Sequence, residues 1–426
     1  MKCVSTRGAG PVPLTTALAQ GLAPDGGLYV FPLARAEGVR LGESLSETAT
    51  SLLTPLFHGE SLDVAAVTNA AFTFDAPLLP LDEGTWLLEQ FHGPTAAFKD
   101  YGARFLAACM QAAPHGGAAP TRRTVLVATS GDTGAAVGSA FEHAAGVRTV
   151  ILHPDGMVSP RQAHQLGSFG GAVSSWRVQG TFDDCQRMAK EAFADADLRA
   201  RHALTSANSI SLARLLPQMG YFAAAALRHA RSGGAPLSFA VPTGNLGDAV
   251  ACILAKLVGF PIGKVLFAGN ANRATLEWLE HGDTAPRATI ATLANAMDVG
   301  APSNLERLRA LVAARPGLRA DLEACSVDDD AIRATIVRGW REAGRTWCPH
   351  TACAAHAVLG RRARGDAHPW AIVATAHPAK FETIVEPLLG LEVPVPPRLA
   401  SMLARPSRSR PMPARLAALR EALEQG

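Results

Sequence analysis

The lysines of this chain are few, because only six of its 40 basic residues are lysine. A buried lysine amine can lose its proton and attack a carbonyl, whereas an arginine guanidinium stays protonated. Lys99 follows Ala97 and Phe98 and precedes a helical pattern, which favours a half-buried, nucleophilic amine. A lysine that snorkels from a core helix, or one that pairs with Asp100, is the alternative interpretation. Lys380 is the only other lysine in a comparable apolar setting.

A glycine-containing loop at residues 243–248 (Thr-Gly-Asn-Leu-Gly-Asp) lies between a strand pattern and a helix pattern. Its two glycines let the backbone approach an anion closely, and the N–H groups of the following helix favour negative charge. It has neither the lysine of a Walker loop nor the spacing of a dinucleotide fingerprint. The loop therefore indicates a phosphate site without a lysine, with an ordinary strand-to-helix turn as the alternative.

A second loop of the same setting is Ser130-Gly131-Asp132-Thr133-Gly134. Two hydroxyls, a carboxylate and free N–H groups come together at one helix start, which favours binding of a substrate carboxylate or phosphate. A helix cap formed by Asp132 or Thr133 is the alternative.

Short apolar runs separated by helical patterns must position these loops. Runs of this kind are buried on both faces in parallel sheets, so the sequence predicts an α/β fold. The predicted strands lie at 124–128, 148–152, 173–178, 237–241, 264–268 and 370–374. Polar loops follow four of them, at 130–134, 153–156, 243–248 and 375–378, and open α/β sheets bind ligands at such carboxyl ends.

Several longer blocks carry a family resemblance. They are STRG, GLAPDGGLYVFP, FHGPTAAFKDYGARF, ATSGDTGAAV, SANSISLARLLPQ, VPTGNLGDAVA, ATLANAMDVGAPSN, CPHTA and TAHPAKFET. Together they resemble the signature blocks of the threonine synthase family, in the order of that family from Val4 to Thr383.

The resemblance implies an α/β, two-lobed pyridoxal-phosphate fold with mostly parallel sheets and a small N-terminal domain. We expect the N-terminal domain at residues 1–80 and the catalytic region at residues 81–400. Residues 401–426 are expected to form a Pro/Arg-rich connector and a C-terminal helix.

The resemblance also implies pyridoxal 5′-phosphate as cofactor, with Lys99 forming an imine with its aldehyde. The phosphate would bind at the 243–248 loop, and a threonine hydroxyl would meet the pyridine nitrogen. The residues in these positions are Lys99, Gly244, Asn245, Leu246, Gly247, Asp248 and Thr375. Leu246 stands where the family commonly has phenylalanine.

The implied reaction converts O-phospho-L-homoserine and water to L-threonine and phosphate, with Lys99 moving protons. Ser130, Asp132 and Thr133 match positions that hold the amino-acid substrate. Lysines common in the family are arginine here, so the substrate phosphate has only candidate ligands, which are Ser206, Asn208 and Arg214.

Two other functions stay open. A dehydratase or phospho-lyase would keep Lys99 and the phosphate loop and change the fate of water. A catalytically silent homologue that senses a small molecule is the other alternative, and the intact Lys99 and Asp132 argue against it.

Composition excludes several partners. A net charge of +3 and a charged fraction of 18% do not provide the basic stripe that nucleic acid requires. No apolar stretch is long enough for a bilayer, and the N-terminus has no apolar signal region, so we expect a cytoplasmic protein without a membrane partner. Its state is expected to be monomer or homodimer.

Cysteine and histidine positions indicate no metal site. The seven cysteines are scattered and form no CxxC pair, which favours reduced thiols. The segment from Cys348 to His356 matches no common zinc spacing, although Cys353 and His356 would share a helical face. His92 and His377 are interpreted as capping or supporting residues near Lys99 and Thr375.

Overall fold

The computed structural model describes residues 1–35, 38–112, 123–282 and 285–425. Within these ranges the strands are β1 (Lys2–Ser5), β2 (Val12–Pro13), β3 (Tyr29–Val30), β4 (Leu78–Asp82), β5 (Thr85–Glu89), β6 (Arg123–Ala128), β7 (Val147–Pro154), β8 (Val173–Gln179), β9 (Leu204–Ser206), β10 (Leu237–Pro242), β11 (Ile262–Gly269), β12 (Leu322–Ser326), β13 (Trp370–Ala374) and β14 (Arg410–Pro413).

The α-helices of the same ranges are α1 (Leu14–Gln20), α2 (Leu45–Leu53), α3 (Val64–Ala71), α4 (Lys99–Ala112), α5 (Asp132–Phe141), α6 (Pro160–Gly167), α7 (Phe182–Ala194), α8 (Ala196–Arg201), α9 (Leu212–Ala230), α10 (Gly247–Leu257), α11 (Ala274–His281), α12 (Asn304–Ala314), α13 (Asp329–Ala343), α14 (Pro349–Ala363), α15 (Glu382–Leu389), α16 (Pro397–Leu403) and α17 (Leu416–Glu424). Short 3₁₀ helices lie at Thr54–Phe57, Asn295–Met297, Pro316–Asp321 and Pro378–Phe381.

Two large sheets define two lobes. The six-stranded sheet has the order β12-β11-β10-β13-β5-β4 and is parallel except for β4, which runs antiparallel to β5. The five-stranded sheet has the order β14-β8-β7-β6-β9 and is parallel throughout. We call these units the six-strand lobe and the five-strand lobe. The prediction of an α/β fold with mostly parallel sheets is confirmed.

All six predicted strands are present, as β6, β7, β8, β10, β11 and β13. Every residue of β10 and β13 is buried, because helices cover both faces of a parallel sheet. In β7 the strand continues through His153 and Pro154, so the loop predicted from residue 153 begins two residues later. His153 is buried, and its Nε2 lies 3.0 Å from the Ser409 Oγ.

The N-terminal residues form a small antiparallel sheet of order β2-β1-β3. The helix α1 follows β2 directly, and a turn at residues 24–27 leads into β3. The helix α2 packs on α9 so closely that a β-carbon on Gly220 would lie 3.2 Å from the Cβ of Ala49. The expected boundary at residue 80 falls inside β4, and the division into domains stays a prediction.

The C-terminal tail adds a strand that the sequence pattern hides. Most of residues 405–411 is exposed, as expected of a connector, but Arg410–Pro413 pairs in parallel with β8. Prolines 411 and 413 have no N–H to donate, which is tolerated at the edge of a sheet and disguises the strand. The predicted C-terminal helix is α17, which buries Leu419 and Leu423, and Gly426 lies outside the described residues.

Across the described ranges, no helix combines the length and the apolar character needed to span a membrane.

Candidate active site

The predicted cofactor residues follow the carboxyl ends of three neighbouring strands in the six-strand lobe. The parallel strands β10, β13 and β5 lie side by side, and Ala374 at the end of β13 is in register with Glu89 at the end of β5. The Phe98 N–H donates to the Thr375 carbonyl at 2.8 Å. The backbone of the Lys99 loop (residues 90–98) is therefore hydrogen-bonded to that of the Thr375 loop (residues 375–377). The 243–248 loop follows the adjacent strand, β10.

Lys99 is the first residue of α4 and is half-buried. Burial lowers the pKa of its amine, and the positive charges of Lys380 and Arg214 act in the same direction against the opposing carboxylates of Asp132 and Asp248. The Asp100 carboxylate next to it accepts hydrogen bonds from the Thr95 N–H and hydroxyl, each at 2.8 Å. The Asp100 carboxylate is thus bound by Thr95, and the lowered pKa of the Lys99 amine is the property that nucleophilic chemistry requires.

The 243–248 loop has the form of an anion cradle. Leu246 adopts a left-handed conformation (φ 63°) immediately before α10, and no side chain of the described residues caps the helix. A β-carbon on Gly244 would lie 2.5 Å from the Met297 Cα, so only glycine fits there. The Asn245 side chain donates to the Ser209 Oγ at 2.8 Å and accepts from the Ser303 N–H at 2.6 Å. The cradle's N–H groups are left for a ligand anion.

Asp248 belongs to this loop in sequence but its side chain enters the protein interior. It is 3% exposed and accepts a hydrogen bond from the Tyr221 hydroxyl of α9. Burial raises the pKa of the Asp248 carboxyl to about 7. The Asp248 side chain thus anchors the start of α10 to α9. A direct contact between Asp248 and the cofactor stays a prediction.

Thr375 follows β13 and is 5% exposed. Its carbonyl accepts from Phe98, while its hydroxyl has no hydrogen-bond partner among the side chains and backbone groups that the structure describes. A hydroxyl without a protein partner gains from any acceptor or donor that a ligand offers.

The five-strand lobe contributes the Ser130–Gly134 loop at the carboxyl end of β6. Gly131 has a φ of 135°, and the Thr129 hydroxyl accepts from the N–H groups of Gly131 and Gly134 at 3.0 and 2.9 Å. No pattern in the sequence singles out Thr129. The helix α5 begins at Asp132, and its N-cap residue, Gly131, has no side chain to cap it. Because Thr129 takes the Gly134 N–H, the N–H groups of Asp132 and Thr133 are the first-turn donors left for an anion within the described residues.

The Asp132 carboxylate is occupied by protein groups. Its Oδ1 lies 2.8 Å from the Lys380 Nζ and accepts from the Gln162 Nε2 at 3.0 Å. Burial would raise the pKa of this carboxyl, but the ammonium groups of Lys380 and Lys99 outweigh burial and hold the pKa well below its usual value. A negative Asp132 would repel a substrate carboxylate, so the backbone of the loop is the better candidate for that contact.

Ser206, Asn208 and Arg214 lie on the segment from β9 to α9, which borders the cradle through Ser209. The Ser206 hydroxyl accepts from the Asn208 N–H at 3.2 Å. The Arg214 guanidinium is 1% exposed and donates to the Ala207 carbonyl, while its Nε has no partner among the described residues. A β-carbon on Gly102 would lie 2.7 Å from that Nε. Gly102 is one turn after Lys99 in α4, so the Arg214 side chain packs against the start of that helix.

The histidines have supporting roles. As predicted, His377 caps the 3₁₀ helix Pro378–Phe381, because its Nδ1 accepts from the Ala379 N–H at 3.2 Å. The His92 Nε2 lies 2.8 Å from the Glu89 Oε2. His350 is buried and accepts from the Ala296 N–H at 3.1 Å; burial lowers its pKa to about 4. Nothing in its local sequence pattern assigns His350 to the site.

The Cys348–His356 segment forms the start of α14, where the Cys353 Sγ lies 3.6 Å from the Pro349 carbonyl. In the part of the chain that the structure describes, no group of three His, Cys, Asp or Glu side chains is arranged to hold a metal ion.

Comparisons with known proteins agree on one family. Residues 73–378 match the family described as pyridoxal-phosphate dependent enzyme, and residues 351–423 match the threonine synthase C-terminal family. Threonine synthase from Serratia marcescens is 38% identical over 420 residues, which cover 97% of this chain and 96% of that protein.

Two solved structures extend this likeness to the fold. Threonine synthase from Escherichia coli matches with a TM-score of 0.90 at 34% identity, covering 100% of both chains. A threonine synthase from Brucella melitensis with bound pyridoxal phosphate matches with a TM-score of 0.89 at 34% identity, covering 100% of this chain and 99% of that one.

The residues of the site fit pyridoxal 5′-phosphate. Its aldehyde requires an amine that can lose its proton, its phosphate requires unpaired N–H donors close to the backbone, and its ring nitrogen requires a polar partner. Lys99, the uncapped start of α10 beyond Gly244 and the Thr375 hydroxyl provide these three groups along one sheet edge.

Proposed function

The chain belongs to the threonine synthase family of pyridoxal-phosphate dependent enzymes, and we propose that it converts O-phospho-L-homoserine and water to L-threonine and phosphate. One observation supports this most strongly. The loop before Lys99 and the Ser130–Gly134 loop are brought together, because the Lys380 Nζ lies 2.8 Å from the Asp132 Oδ1 and donates to the Thr95 carbonyl at 2.7 Å. The anion cradle follows β10, the strand next to β13.

In this proposal Lys99 holds the cofactor covalently, the N–H groups from Gly244 to Gly247 bind its phosphate, and the Thr375 hydroxyl meets its ring nitrogen. When bound, pyridoxal 5′-phosphate withdraws electron density from the amino-acid carbons near the amine and so makes their protons removable. A hydroxyl carries no charge, so Thr375 would not hold the ring nitrogen protonated as a carboxylate would.

The protein's own groups then bind and move protons. The N–H groups of Ser130, Asp132 and Thr133 bind the substrate carboxylate, since the Gly131 N–H already donates to the Thr129 hydroxyl. The lowered pKa of Lys99 leaves its amine unprotonated, so the amine can accept the proton from Cα of the substrate. The same flexible amine removes a proton at Cβ and returns protons later. Phosphate leaves from Cγ and water adds at Cβ, so one water is consumed and one phosphate is released for each threonine.

The substrate phosphate has three candidate ligands next to the cradle, namely Ser206, Asn208 and Arg214. Arg214 is the strongest of them, because its guanidinium is permanently charged and one of its nitrogens lacks a partner among the described residues.

The test uses purified protein loaded with pyridoxal 5′-phosphate and supplied with O-phospho-L-homoserine. We expect equal amounts of phosphate and threonine from the wild-type protein, and neither from the Lys99→Ala variant. Phosphate with 2-oxobutanoate would assign a lyase instead. Binding of the substrate without any product would indicate a sensor.

We also propose a cytoplasmic enzyme that acts as a monomer or homodimer. All seven cysteines are free thiols, which is typical of a reducing compartment. Sedimentation of the loaded enzyme distinguishes the two states, and a larger assembly would contradict the proposal.

A further inference from the structure

A buried ion pair joins the two lobes beside the Lys99 loop. Lys380 follows β13 of the six-strand lobe, and Asp132 begins α5 of the five-strand lobe. The Lys380 Nζ lies 2.8 Å from the Asp132 Oδ1, and the two side chains are 1% and 5% exposed. The same amine donates to the Thr95 carbonyl at 2.7 Å.

From Lys380 the hydrogen bonds continue to Asp100, the residue after Lys99. Thr95, whose carbonyl receives the Lys380 amine, donates through both its N–H and its hydroxyl to the Asp100 carboxylate at 2.8 Å. Asp100 is the neighbour of Lys99 in the first turn of α4. On the other side, Gln162 donates to the Asp132 Oδ1 that Lys380 contacts.

The backbone around Lys380 is docked to the five-strand lobe as well. The Ser159 hydroxyl donates to the Lys380 carbonyl at 2.6 Å, and the Arg161 guanidinium donates to the Ala379 carbonyl at 2.9 Å. The Arg161 N–H donates to the Glu382 carboxylate at 2.8 Å. The start of α6 thus fixes the 3₁₀ helix that carries Lys380.

We propose that Lys380 is a positioning residue, which fixes the Ser130–Gly134 loop of the five-strand lobe against the Lys99 loop of the six-strand lobe. It does so through Asp132 on one side and Thr95 on the other. This inference rests on the proposed function, since the loop's task is to hold the carboxylate of the amino-acid substrate.

The pair also sets charge around Lys99. The positive charge of Lys380 lowers the pKa of the Lys99 amine, and the negative charge of Asp132 raises it. Removing one partner changes the net charge near Lys99 and leaves a buried ion unpaired, whereas removing both does neither. Single and double variants therefore separate position from charge.

The experiment compares the loaded wild-type enzyme with Lys380→Met, Asp132→Asn and the double variant. The control is Lys256→Met, because Lys256, like Lys380, combines backbone hydrogen bonds with an ion pair. Its amine donates to the carbonyls of Ile262 and Gly263 at 2.8 and 2.9 Å and lies 3.0 Å from the Asp321 carboxylate. Lys256 lies in the last turn of α10, away from the cradle. KM, kcat against pH and the unfolding temperature are measured for each.

We expect Lys380→Met to raise KM for O-phospho-L-homoserine about tenfold or more, since a misplaced binding loop loses substrate orientation. The acid limb of kcat should move to higher pH in Lys380→Met and to lower pH in Asp132→Asn. In the double variant the unfolding temperature and the acid limb should return toward wild type while KM stays high. Lys256→Met should change only stability.

A KM that recovers in the double variant together with the unfolding temperature would overturn the inference, because Lys380 would then be structural. An unchanged KM in Lys380→Met would overturn it as well. If wild type and Lys256→Met make no threonine, the proposed function fails and the inference fails with it; if both make threonine, only the inference is at stake.

Discussion

A β-carbon on Gly244 would lie 2.5 Å from the Cα of Met297, closer than nonbonded carbons approach each other. The obstacle is backbone, so it does not move aside as a flexible side chain would. The cradle and the 3₁₀ helix at residues 295–297 therefore fit together only when residue 244 is glycine.

Replacing Gly244 with alanine should displace the cradle and weaken the binding of pyridoxal 5′-phosphate by at least tenfold, measured by titrating the cofactor-free protein. Gly317→Ala is the control, because among the described residues no atom outside its immediate chain surroundings lies within 4 Å of the β-carbon added there. Equal cofactor affinity in the two variants would show that the cradle does not bind the cofactor phosphate.

Replacing Thr375 with valine should lower kcat more than it lowers the unfolding temperature. Thr375→Val keeps the shape and removes a hydroxyl with no partner among the described residues, so the unfolding temperature should hardly change. Loss of one hydrogen bond to the cofactor ring should lower kcat about five- to tenfold.

Thr149→Val is the matched control for Thr375→Val. Thr149 is fully buried in β7, and its hydroxyl also lacks a hydrogen-bond partner within the described chain. We expect wild-type kcat from this variant. A kcat in Thr375→Val equal to that of the control would remove Thr375 from the cofactor site.

Arg214→Lys tests the candidate ligand of the substrate phosphate. Lysine keeps the charge but not the planar array of donors, so KM for O-phospho-L-homoserine should rise about tenfold or more with a smaller change in kcat. Arg148→Lys serves as control, because Arg148 is buried and donates to backbone carbonyls of α17, far from the cradle. Similar KM values in both variants would make Arg214 a structural residue.

The raised pKa of Asp248 predicts a pH dependence of stability. Between its ordinary value of 3.8 and about 7, the folded carboxyl keeps its proton while the unfolded one has lost it. The unfolded state then binds fewer protons, so the free energy of unfolding falls by about 1.4 kcal/mol per pH unit from this group as pH rises.

Asp248→Asn removes this titration and should flatten the fall of the unfolding temperature between pH 5 and pH 7. Asp330→Asn, a change at a surface side chain that is 96% exposed, should leave the wild-type slope unchanged. The stabilising charge of Asp132 does not interfere, because its lowered pKa removes stability only at more acidic pH. Equal slopes in wild type and Asp248→Asn would contradict a proton on Asp248.

Local patterns were sufficient for six of the strands and for the polar loops that follow four of them. A strand covered on both faces must be apolar along its length, which is why β6, β10 and β13 are legible as short runs. The blocks from Val4 to Thr383 together indicated the family before any geometry was known, and the comparisons confirmed the family and the cofactor. The individual roles of the site residues stay predictions.

Contacts between distant segments were decided by the tertiary structure alone. The sequence marked Lys380 only as a second lysine in an apolar setting, and Asp132 as a substrate residue. Their ion pair exists because the 3₁₀ helix after β13 packs against the starts of α5 and α6 in the other lobe. The direction of the Asp248 side chain likewise depends on Tyr221 of another helix. Residue type and spacing specify local backbone and burial, whereas the partner of a buried charge is fixed only when separate elements pack.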